Sequence, residues 1–402
     1  MVFAAQRGFR TVAIVAGVLL FTAVAIGQGT SYHGRRAWTL RNNRMAVVIT
    51  PGGGHIASMT LNSGRGAGLN PFWLPPWQSV EPGAWQRDPA AYGGKPAAQL
   101  LSSILGHNIC VDFFGAPSAP ETAAGMPVHG EAPCVNWRAT SRSRSHLAYS
   151  THLPMARMNV SRTIRMRPGS SAIWINESIE NLDGIDRPIG WQQHPSFGPP
   201  FLEAGATFFD MPGKDSRVYP REFSKGERLK RGANFQWPDA PLKSGGDVDL
   251  REYPKGGKNS DYTATVLDPK EKWGWVTAVN VKRGLLAGYV WPRADWPWVG
   301  NWEENHFRSG KPWLGRAVVR GMEFGTTPYP DSRRDAITLG SLFRTPTFRW
   351  IAAKGKQTIG YGAFLASVPA GTTGVSDVEV EGNNIRVTLA GVSRTITLAV
   401  TK

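Results

Sequence analysis

Three side chains that lie far apart in the sequence could together transfer protons near neutral pH. His194 lies in IGWQQHPSFGPPF, where a predicted strand ends at a proline-rich run that would fix the backbone behind the ring. An imidazole at that position can give or take a proton. Glu323 lies in RGMEFGTTPYP, an apolar and glycine-rich setting that would desolvate its carboxylate and make it a better base. His129 lies in GMPVHGEAP, where glycine and proline predict a turn that presents the ring.

Tryptophan is the second unusual feature, because the chain contains 16 of them. An indole offers a flat apolar face and one N–H donor, which suits stacking against the C–H face of a sugar ring. The segment that contains Trp291, Trp296, Trp298 and Trp302 is the predicted stacking wall. Packing between large sheets explains many of these side chains equally well. In the same way, a surface position would explain His129, and an arginine partner would explain a buried glutamate.

The elements that would position these residues are strands. Short runs rich in Val, Ile, Thr and aromatic residues alternate with Gly, Pro and Asn, which predicts an all-β chain. Residues 96–105 are the one stretch with the pattern of a helix. Residues 378–400 predict a hairpin and a further strand that close the edge of a sheet. Neither a linker composition nor a repeat interrupts the chain, so residues 28–402 are predicted to form one domain.

The first 27 residues are predicted to be a secretory signal peptide. Arg7 and Arg10 precede an uncharged, largely apolar run over residues 11–27 that ends in small residues. The run is about the minimum length for spanning a bilayer, so a retained N-terminal anchor is the alternative. Either segment predicts export to the periplasm or the cell exterior. Cys110 and Cys134, the two cysteines, could pair in an oxidising compartment or remain buried thiols, and their spacing does not predict a metal site.

The net charge of +16 favours anionic partners, although mere solubility is a simpler explanation. The basic residues are scattered and no nucleic-acid motif occurs, so nucleic acid is not an expected partner. Acidic glycans or envelope surfaces are the expected ones. Contact with a membrane is expected only through an uncleaved N-terminal segment. The sequence leaves the oligomeric state open.

Several segments resemble the aldose 1-epimerase, or galactose mutarotase-like, family in both content and order. They are PGGGHIASMTL, HNICVDFFGAPSAPETAAGMPVHGEA, the strand pair that ends in QQHPSFGPPFL, and GRAVVRGMEFGTTPYP. The resemblance spans about residues 45–368. It implies a β supersandwich of large, mostly antiparallel sheets with a carbohydrate cleft on a concave face. It also implies that the anomers of a sugar are interconverted by acid–base ring opening without a cofactor or metal.

The resemblance implies a role for each of the three proton-transfer candidates. His129 matches a histidine that binds sugar hydroxyls, His194 matches the general acid that faces the ring oxygen, and Glu323 matches the general base on the anomeric hydroxyl. Gln192 is predicted to bind the sugar, because strand alternation places it on the same face as His194.

Further sugar contacts are predicted in one later segment of the chain. Trp302 and Asn301 are predicted to line the cleft. The family's early arginine and its additional acidic residue have no clear match, and Asp295 and the glutamates at 303 and 304 are candidates for the latter. His306 lies beside the same segment.

The leading functional hypothesis is an exported isomerase that acts on a free aldose or on the reducing end of a glycan. The main alternative is a carbohydrate-binding protein that has kept the fold and lost turnover. A phosphosugar epimerase fits export less well, because phosphosugars are mainly cytoplasmic. A lyase or hydrolase would need a Tyr/His pair or two carboxylates across the scissile bond, and the sequence offers no convincing pair.

Overall fold

The structure is a computed structural model and describes residues 1–2 and 30–402. The predicted signal peptide, residues 1–27, and the alternative anchor over residues 11–27 lie outside the described residues, apart from the first two positions. No helix within the described part is long and apolar enough to cross a membrane.

Strands are the main element of the described chain. The first fourteen are β1 (Thr30–Tyr32), β2 (Arg35–Arg41), β3 (Met45–Ile49), β4 (Ile56–Leu61), β5 (His107–Asp112), β6 (Arg138–Arg142), β7 (His146–Leu153), β8 (Met158–Met166), β9 (Ala172–Asn181), β10 (Arg187–Phe197), β11 (Thr207–Asp210), β12 (Gly213–Val218), β13 (Asn234–Gln236) and β14 (Asp239–Pro241).

Thirteen more strands follow within the described residues. They are β15 (Asp247–Asp249), β16 (Asn259–Leu267), β17 (Trp273–Asn280), β18 (Leu285–Pro292), β19 (Trp298–Asn305), β20 (Val318–Gly325), β21 (Ser341–Leu342), β22 (Thr345–Pro346), β23 (Arg349–Ile351), β24 (Lys356–Ser367), β25 (Gly374–Glu381), β26 (Asn384–Ala390) and β27 (Thr395–Ala399). The helices are α1 (Ala97–Leu101), α2 (Ala119–Ala123) and α3 (Arg333–Leu339), with 3-10 turns at Ala84–Arg87, Pro89–Tyr92 and Ala132–Cys134.

Two large antiparallel sheets carry the architecture. The first has 12 strands in the order β1-β2-β3-β4-β5-β10-β20-β19-β16-β12-β13, with β23 paired to β10. The second has 8 strands in the order β11-β17-β18-β24-β9-β8-β7-β6. The sheets pack face to face, and β8 shows the period of two that this requires, because alternate residues from Met158 to Met166 are buried. The predicted all-β supersandwich is confirmed.

A buried polar cluster joins the two sheets behind strand β10. Glu177 of β9 accepts hydrogen bonds from the guanidinium of Arg162, the indole of Trp191 and the amide of Gln193, and the Gln193 bond measures 2.7 Å. The Tyr361 hydroxyl donates to Gln193 Oε1 at 3.1 Å. Because Trp191 and Gln193 point inward, their neighbours on β10 point to the opposite face of the sheet. The cluster therefore fixes the inner face of the strand that carries His194.

The C-terminal strands form a sheet of their own. The predicted hairpin is present as β25 and β26, followed by β27, in a separate three-stranded sheet. Val380 and Val387 pack against Val290 and Phe364 on the outer face of the second large sheet. The prediction that this meander closes the edge of a sheet is therefore wrong. Its apolar face covers an apolar sheet surface that would otherwise meet water.

The helix predicted over residues 96–105 is shorter in the structure. Helix α1 ends at Leu101, whose carbonyl would accept the Leu105 N–H in the longer helix. That carbonyl instead accepts the Trp77 indole N–H at 2.8 Å. A tertiary hydrogen bond thus takes the place of the last helical one.

Candidate active site

A cavity of about 330 Å³ lies on the outer face of the first sheet. Its floor comes from β10, β20, β19 and β16, and its walls come from α1 and from loops that cross above the sheet. The volume falls at the lower end of the range for small-molecule sites, about 300–1,000 Å³. The lining residues are Ala97, Leu100, Leu101, Ile104, Phe114, Gly115, Ala116, Val128, His129, His194, Phe223, Tyr262, Trp302, Arg308, Trp313, Glu323 and Pro330.

His194 and Glu323 face each other across adjacent strands. The register that pairs Gln193 with Phe324 and Ser196 with Gly321 places His194 opposite Glu323. His194 Nε2 and Glu323 Oε1 are 2.9 Å apart, and the two side chains are only 4% and 2% exposed. The distance is within the range over which a proton passes directly between heavy atoms.

The surroundings of this pair fix its geometry. The other ring nitrogen of His194, Nδ1, lies 3.1 Å from the Ser196 hydroxyl. A side chain at Gly321 would place its Cβ 2.5 Å from Glu323 Oε1, so glycine keeps that space open. Glu323 Oε2 is buried and has no hydrogen-bond partner within the protein. Ser196 therefore orients the His194 ring, Gly321 leaves room for the carboxylate, and Glu323 Oε2 remains available to accept a hydrogen bond.

His129 reaches the same place from a turn. Its φ of 65° lies in the left-handed region, and its N–H donates to the Gly115 carbonyl at 2.8 Å. Such a conformation is uncommon for a residue other than glycine, and histidine is one of the residues that adopts it more readily. The ring stacks on Phe114, with centroids 5.2 Å apart, and lies edge-to-face to His194 at 5.2 Å.

The protonation of His129 follows from this position. Desolvation is the largest cause that lowers the pKa of the His129 ring well below its usual range, and the nearby charges of His194 and Arg308 lower it further. The ring is therefore neutral near pH 7, and its Nδ1 has no hydrogen-bond partner within the protein. A neutral imidazole can either donate to or accept from a ligand hydroxyl, depending on its tautomer.

Aromatic side chains form much of the remaining lining. The Trp302 ring lies 5.8 Å from the His194 ring, and Trp302 and Trp313 meet edge-to-face at 6.2 Å. The Arg308 guanidinium lies over both indoles, 5.7 Å from Trp302 and 4.9 Å from Trp313. Arg308 also pairs with Glu304 at 3.2 Å. The cation thus links the floor of the cavity at Trp302 to the loop that carries Trp313.

Comparisons with known proteins identify the fold of this chain. No family model matches the chain, and no curated protein matches it significantly by sequence. Solved structures do resemble it. A candidate aldose 1-epimerase from Klebsiella pneumoniae superposes with a TM-score of 0.60 and 14% identity over 83% of this chain and 80% of that one. The chain has a galactose mutarotase-like fold.

Two further solved structures also resemble this chain. A galactose mutarotase-like protein from Clostridium acetobutylicum has a TM-score of 0.54 and 11% identity over 85% of this chain and 98% of that one. A candidate aldose 1-epimerase from Escherichia coli K12 has a TM-score of 0.53 and 13% identity over 83% of this chain and 99% of that one. The resemblance identified from the sequence is confirmed for the mutarotase-like fold.

Two of the predicted sugar-binding residues lie outside the cavity lining of this mutarotase-like sheet. Gln192 points to the same face as His194, but its Nε2 donates to the Glu323 carbonyl at 3.0 Å and its Oε1 accepts the Thr327 N–H at 3.3 Å. Asn301 pairs with Met322 and points to the inner face, because it is adjacent to Trp302 on the strand. Of the predicted set, the cavity brings together His129, His194, Trp302 and Glu323.

The stacking wall predicted over residues 291–302 is wrong for three of its four members. Trp291, Trp296 and Trp298 have 0% exposure and lie outside the cavity lining, whereas Trp302 lines it. Trp291 stacks on Phe324 at 3.9 Å between the sheets. The second indole that lines the cavity belongs to Trp313.

The weaker acidic candidates are engaged in ion pairs. Asp295 pairs with Arg349 at 3.0 Å, and Glu303 pairs with the buried Arg320. Glu304 holds Arg308 at the cavity wall. The exposed His306 ring lies 2.9 Å from the Gly315 carbonyl and does not line the cavity.

Most other residues of the cavity were not predicted from the sequence, among them the large side chains Phe114, Tyr262, Arg308 and Trp313. Tyr262 lies beside Gly300 of the neighbouring strand, where a Cβ would come 1.9 Å from the Tyr262 hydroxyl. This contact depends on the register between β16 and β19, which the sequence does not show. Arg308 and Trp313 come from a loop, where periodicity gives no information about direction.

The cysteines and possible metal ligands are separate from this chemistry. Cys110 and Cys134 are both free thiols in the structure. Desolvation by burial is the largest cause that raises the pKa of Cys110 well above its usual range, which keeps it protonated near pH 7. Among residues 1–2 and 30–402, no group of three or more His, Cys, Asp or Glu side chains could hold a metal ion.

Proposed function

We propose that this protein interconverts the α and β anomers of an aldose, either free or at the reducing end of a glycan. The observation that carries the proposal is the 2.9 Å separation of His194 Nε2 and Glu323 Oε1 in a cavity of small-molecule size. A hemiacetal carbon bears two oxygens, the ring oxygen and the anomeric hydroxyl. Two proton-transfer groups this close together can reach both oxygens of one carbon atom.

Each of these two side chains carries out one of the two proton transfers in the reaction. Glu323 takes the proton of the anomeric hydroxyl while protonated His194 delivers a proton to the ring oxygen. The bond between C1 and the ring oxygen breaks, and the electron pair of the former O–H bond forms the aldehyde carbonyl. Rotation about the C1–C2 bond and the reverse proton transfers then close the ring as the other anomer. Each positioned transfer contributes roughly 10²- to 10⁴-fold to the rate.

Unpartnered polar atoms in the cavity support sugar binding. His129 Nδ1, Trp302 Nε1 and Glu323 Oε2 are buried, and none has a hydrogen-bond partner within the protein. Buried polar atoms in folded proteins are nearly always bonded, so a ligand hydroxyl that reaches any of these three atoms would satisfy it. Sugar hydroxyls supply both donors and acceptors, and the indole faces suit the C–H face of the ring.

The test follows the approach of a freshly dissolved pure anomer to equilibrium. Polarimetry on α-glucose and α-galactose, with and without the protein, should show faster mutarotation when the protein is present. If the rate equals the uncatalysed rate while calorimetry detects sugar binding, the protein is a carbohydrate-binding protein on the same fold. Absence of both turnover and binding, for these two sugars and for their O-butyl ethers, would reject a carbohydrate function.

We also propose that the protein is exported and prefers acidic saccharides. The charged N-terminus followed by an apolar run over residues 11–27 supports export, and the net charge of +16 supports attraction of anionic glycans. Mass spectrometry of the protein from periplasmic or secreted fractions should show an N-terminus near residue 28. A preference for uronic acids should weaken as salt is raised, because salt screens charges over about 10 Å at 0.1 M.

A further inference from the structure

One wall of the cavity is aliphatic. Ala97, Leu100 and Leu101 of helix α1, together with Ile104, all line it, and we call these four residues the α1 wall. Leu100 and Ile104 are 3% and 4% exposed and belong to the same apolar cluster as the indoles of the cavity. The polar side chain of α1, Gln99, points elsewhere and donates to the Gly125 carbonyl at 3.4 Å.

The charged and imidazole groups of the cavity come from other elements. His194 and Glu323 lie on the strands of the floor, His129 lies on its turn, and Arg308 lies in the loop after β19. Trp302 Nε1, the free indole donor, also belongs to the floor. The cavity therefore has a polar, aromatic floor and one wall whose side chains neither donate nor accept hydrogen bonds.

This asymmetry fits an unsubstituted sugar poorly. A free aldose carries a hydroxyl on nearly every carbon, and those that face the α1 wall would lose water without gaining a side-chain partner. A buried hydroxyl without a partner weakens binding by roughly five- to 150-fold. An aliphatic wall also lacks the π face that lets an indole stack on a sugar ring. The α1 wall is instead suited to an alkyl chain.

We propose that the substrate is a sugar hemiacetal that carries an apolar substituent of alkyl or acyl type, which packs against the α1 wall. This inference rests on the anomer interconversion proposed above. It adds that the chemical class of the substrate is a sugar modified on a ring or exocyclic hydroxyl, with a free anomeric centre. Each buried methylene strengthens binding about fourfold, so two or three buried methylenes give a gain of about 15- to 60-fold.

The test compares parent sugars with the 3-, 4- and 6-O-butyl ethers of glucose and galactose. Titration calorimetry with the full chain gives the dissociation constant of each compound. At least one ether should bind about 15-fold or more tightly than its parent sugar. If none of the ethers binds more tightly than its parent, the proposal is overturned.

Variants of the wall assign the gain to these residues. Leu100→Ser should reduce the preference for the best ether by about fourfold or more. Ala97→Ser, at a half-buried position of the α1 wall, gives a second variant if the first fails to fold. Leu339→Ser is the matched control, because Leu339 is 40% exposed at the end of α3 and does not line the cavity. A preference that is unchanged in the lining variants would also overturn the proposal.

Anomer exchange measured by NMR on the same compounds separates the two proposals. If an ether binds more tightly through the α1 wall but no compound exchanges faster, the proposed function fails and the apolar subsite stands. If the parent sugars exchange faster with the protein and the ethers gain nothing in binding or rate, the function stands and the apolar subsite fails.

Discussion

Removal of the Glu177 charge should destabilise the fold strongly, because this carboxylate is buried between the two large sheets. Its side chain is 0% exposed and is bonded by Arg162, Trp191 and Gln193. Glu177→Gln keeps the size of the side chain but leaves the buried Arg162 guanidinium without its counter-charge. Breaking a buried pair in this way costs about 3–5 kcal/mol. The free energy of unfolding of a domain is typically about 5–15 kcal/mol, so the expected loss is a large share of it.

Urea unfolding followed by tryptophan fluorescence measures this change as a lower midpoint. The matched control is Glu180→Gln on the same strand, where the half-buried carboxylate accepts one bond from Asn159 at 2.8 Å. That variant should lose at most about 0.5–1.5 kcal/mol, the usual net contribution of one hydrogen bond, because the Gln amide oxygen can still accept from Asn159. Equal losses in the two variants, or a loss below about 1 kcal/mol for Glu177→Gln, would refute the assigned role of the buried charge.

The double replacement of Arg162 by Met and Glu177 by Leu provides a second check. It removes both charges at once, so no uncompensated charge remains buried, and apolar replacements of buried pairs are often close to neutral. The double variant should therefore be more stable than the sum of the two single losses predicts. Additive losses would show that the charges do not act as a pair.

Three further predictions concern the cavity and its support. Trp302→Ala should weaken binding of whichever sugar the protein takes by roughly two- to twelvefold in calorimetry, as expected for about 0.5–1.5 kcal/mol of aromatic contact, whereas the exposed Trp350→Ala should have no effect. Gln192→Met should lower the unfolding free energy by about 1–3 kcal/mol but leave the sugar dissociation constant unchanged, because the Gln192 amide bonds to the Glu323 and Thr327 backbone. If Gln192→Met instead raises the sugar dissociation constant, Gln192 contacts the sugar. The melting temperature should fall between pH 7 and pH 5.5, because burial holds the pKa of His55, His107 and His129 well below the usual range. Below about pH 6.5 the unfolded chain binds protons that these folded histidines do not, which costs at most about 4.1 kcal/mol per pH unit for three groups. A flat or rising melting temperature would contradict this.

The sequence predicts the strands well because their periodicity is local. The alternation in β8 and the turn after Glu381 each depend only on residues that are consecutive in the sequence, and both appear in the structure. The position of the C-terminal sheet is not local, because it depends on which apolar surface remains uncovered once the large sheets have formed. The same reason explains helix α1, which ends early where the distant Trp77 indole donates to the Leu101 carbonyl.

The candidate site shows the same division. His194 and Glu323 could be located because each lies on a strand with distinctive flanking residues. Trp302 and Asn301 are adjacent on one strand, so only one of them can face the cavity, and the sequence does not indicate which face is inward there. The buried Trp291, Trp296 and Trp298 show that residue type alone does not distinguish a stacking wall from a core. The α1 wall, Arg308 and Trp313 come from segments whose direction is set by tertiary packing.

His194 and Glu323 are proposed to act as one acid–base pair on a bound sugar. The most direct measurement is the anomer exchange rate by NMR, at saturating sugar, for the unmodified chain, His194→Asn and Glu323→Gln. Each variant should lose about 10²- to 10⁴-fold in exchange rate while its sugar dissociation constant changes by less than about threefold. An exchange rate that is unchanged in either variant would contradict the account.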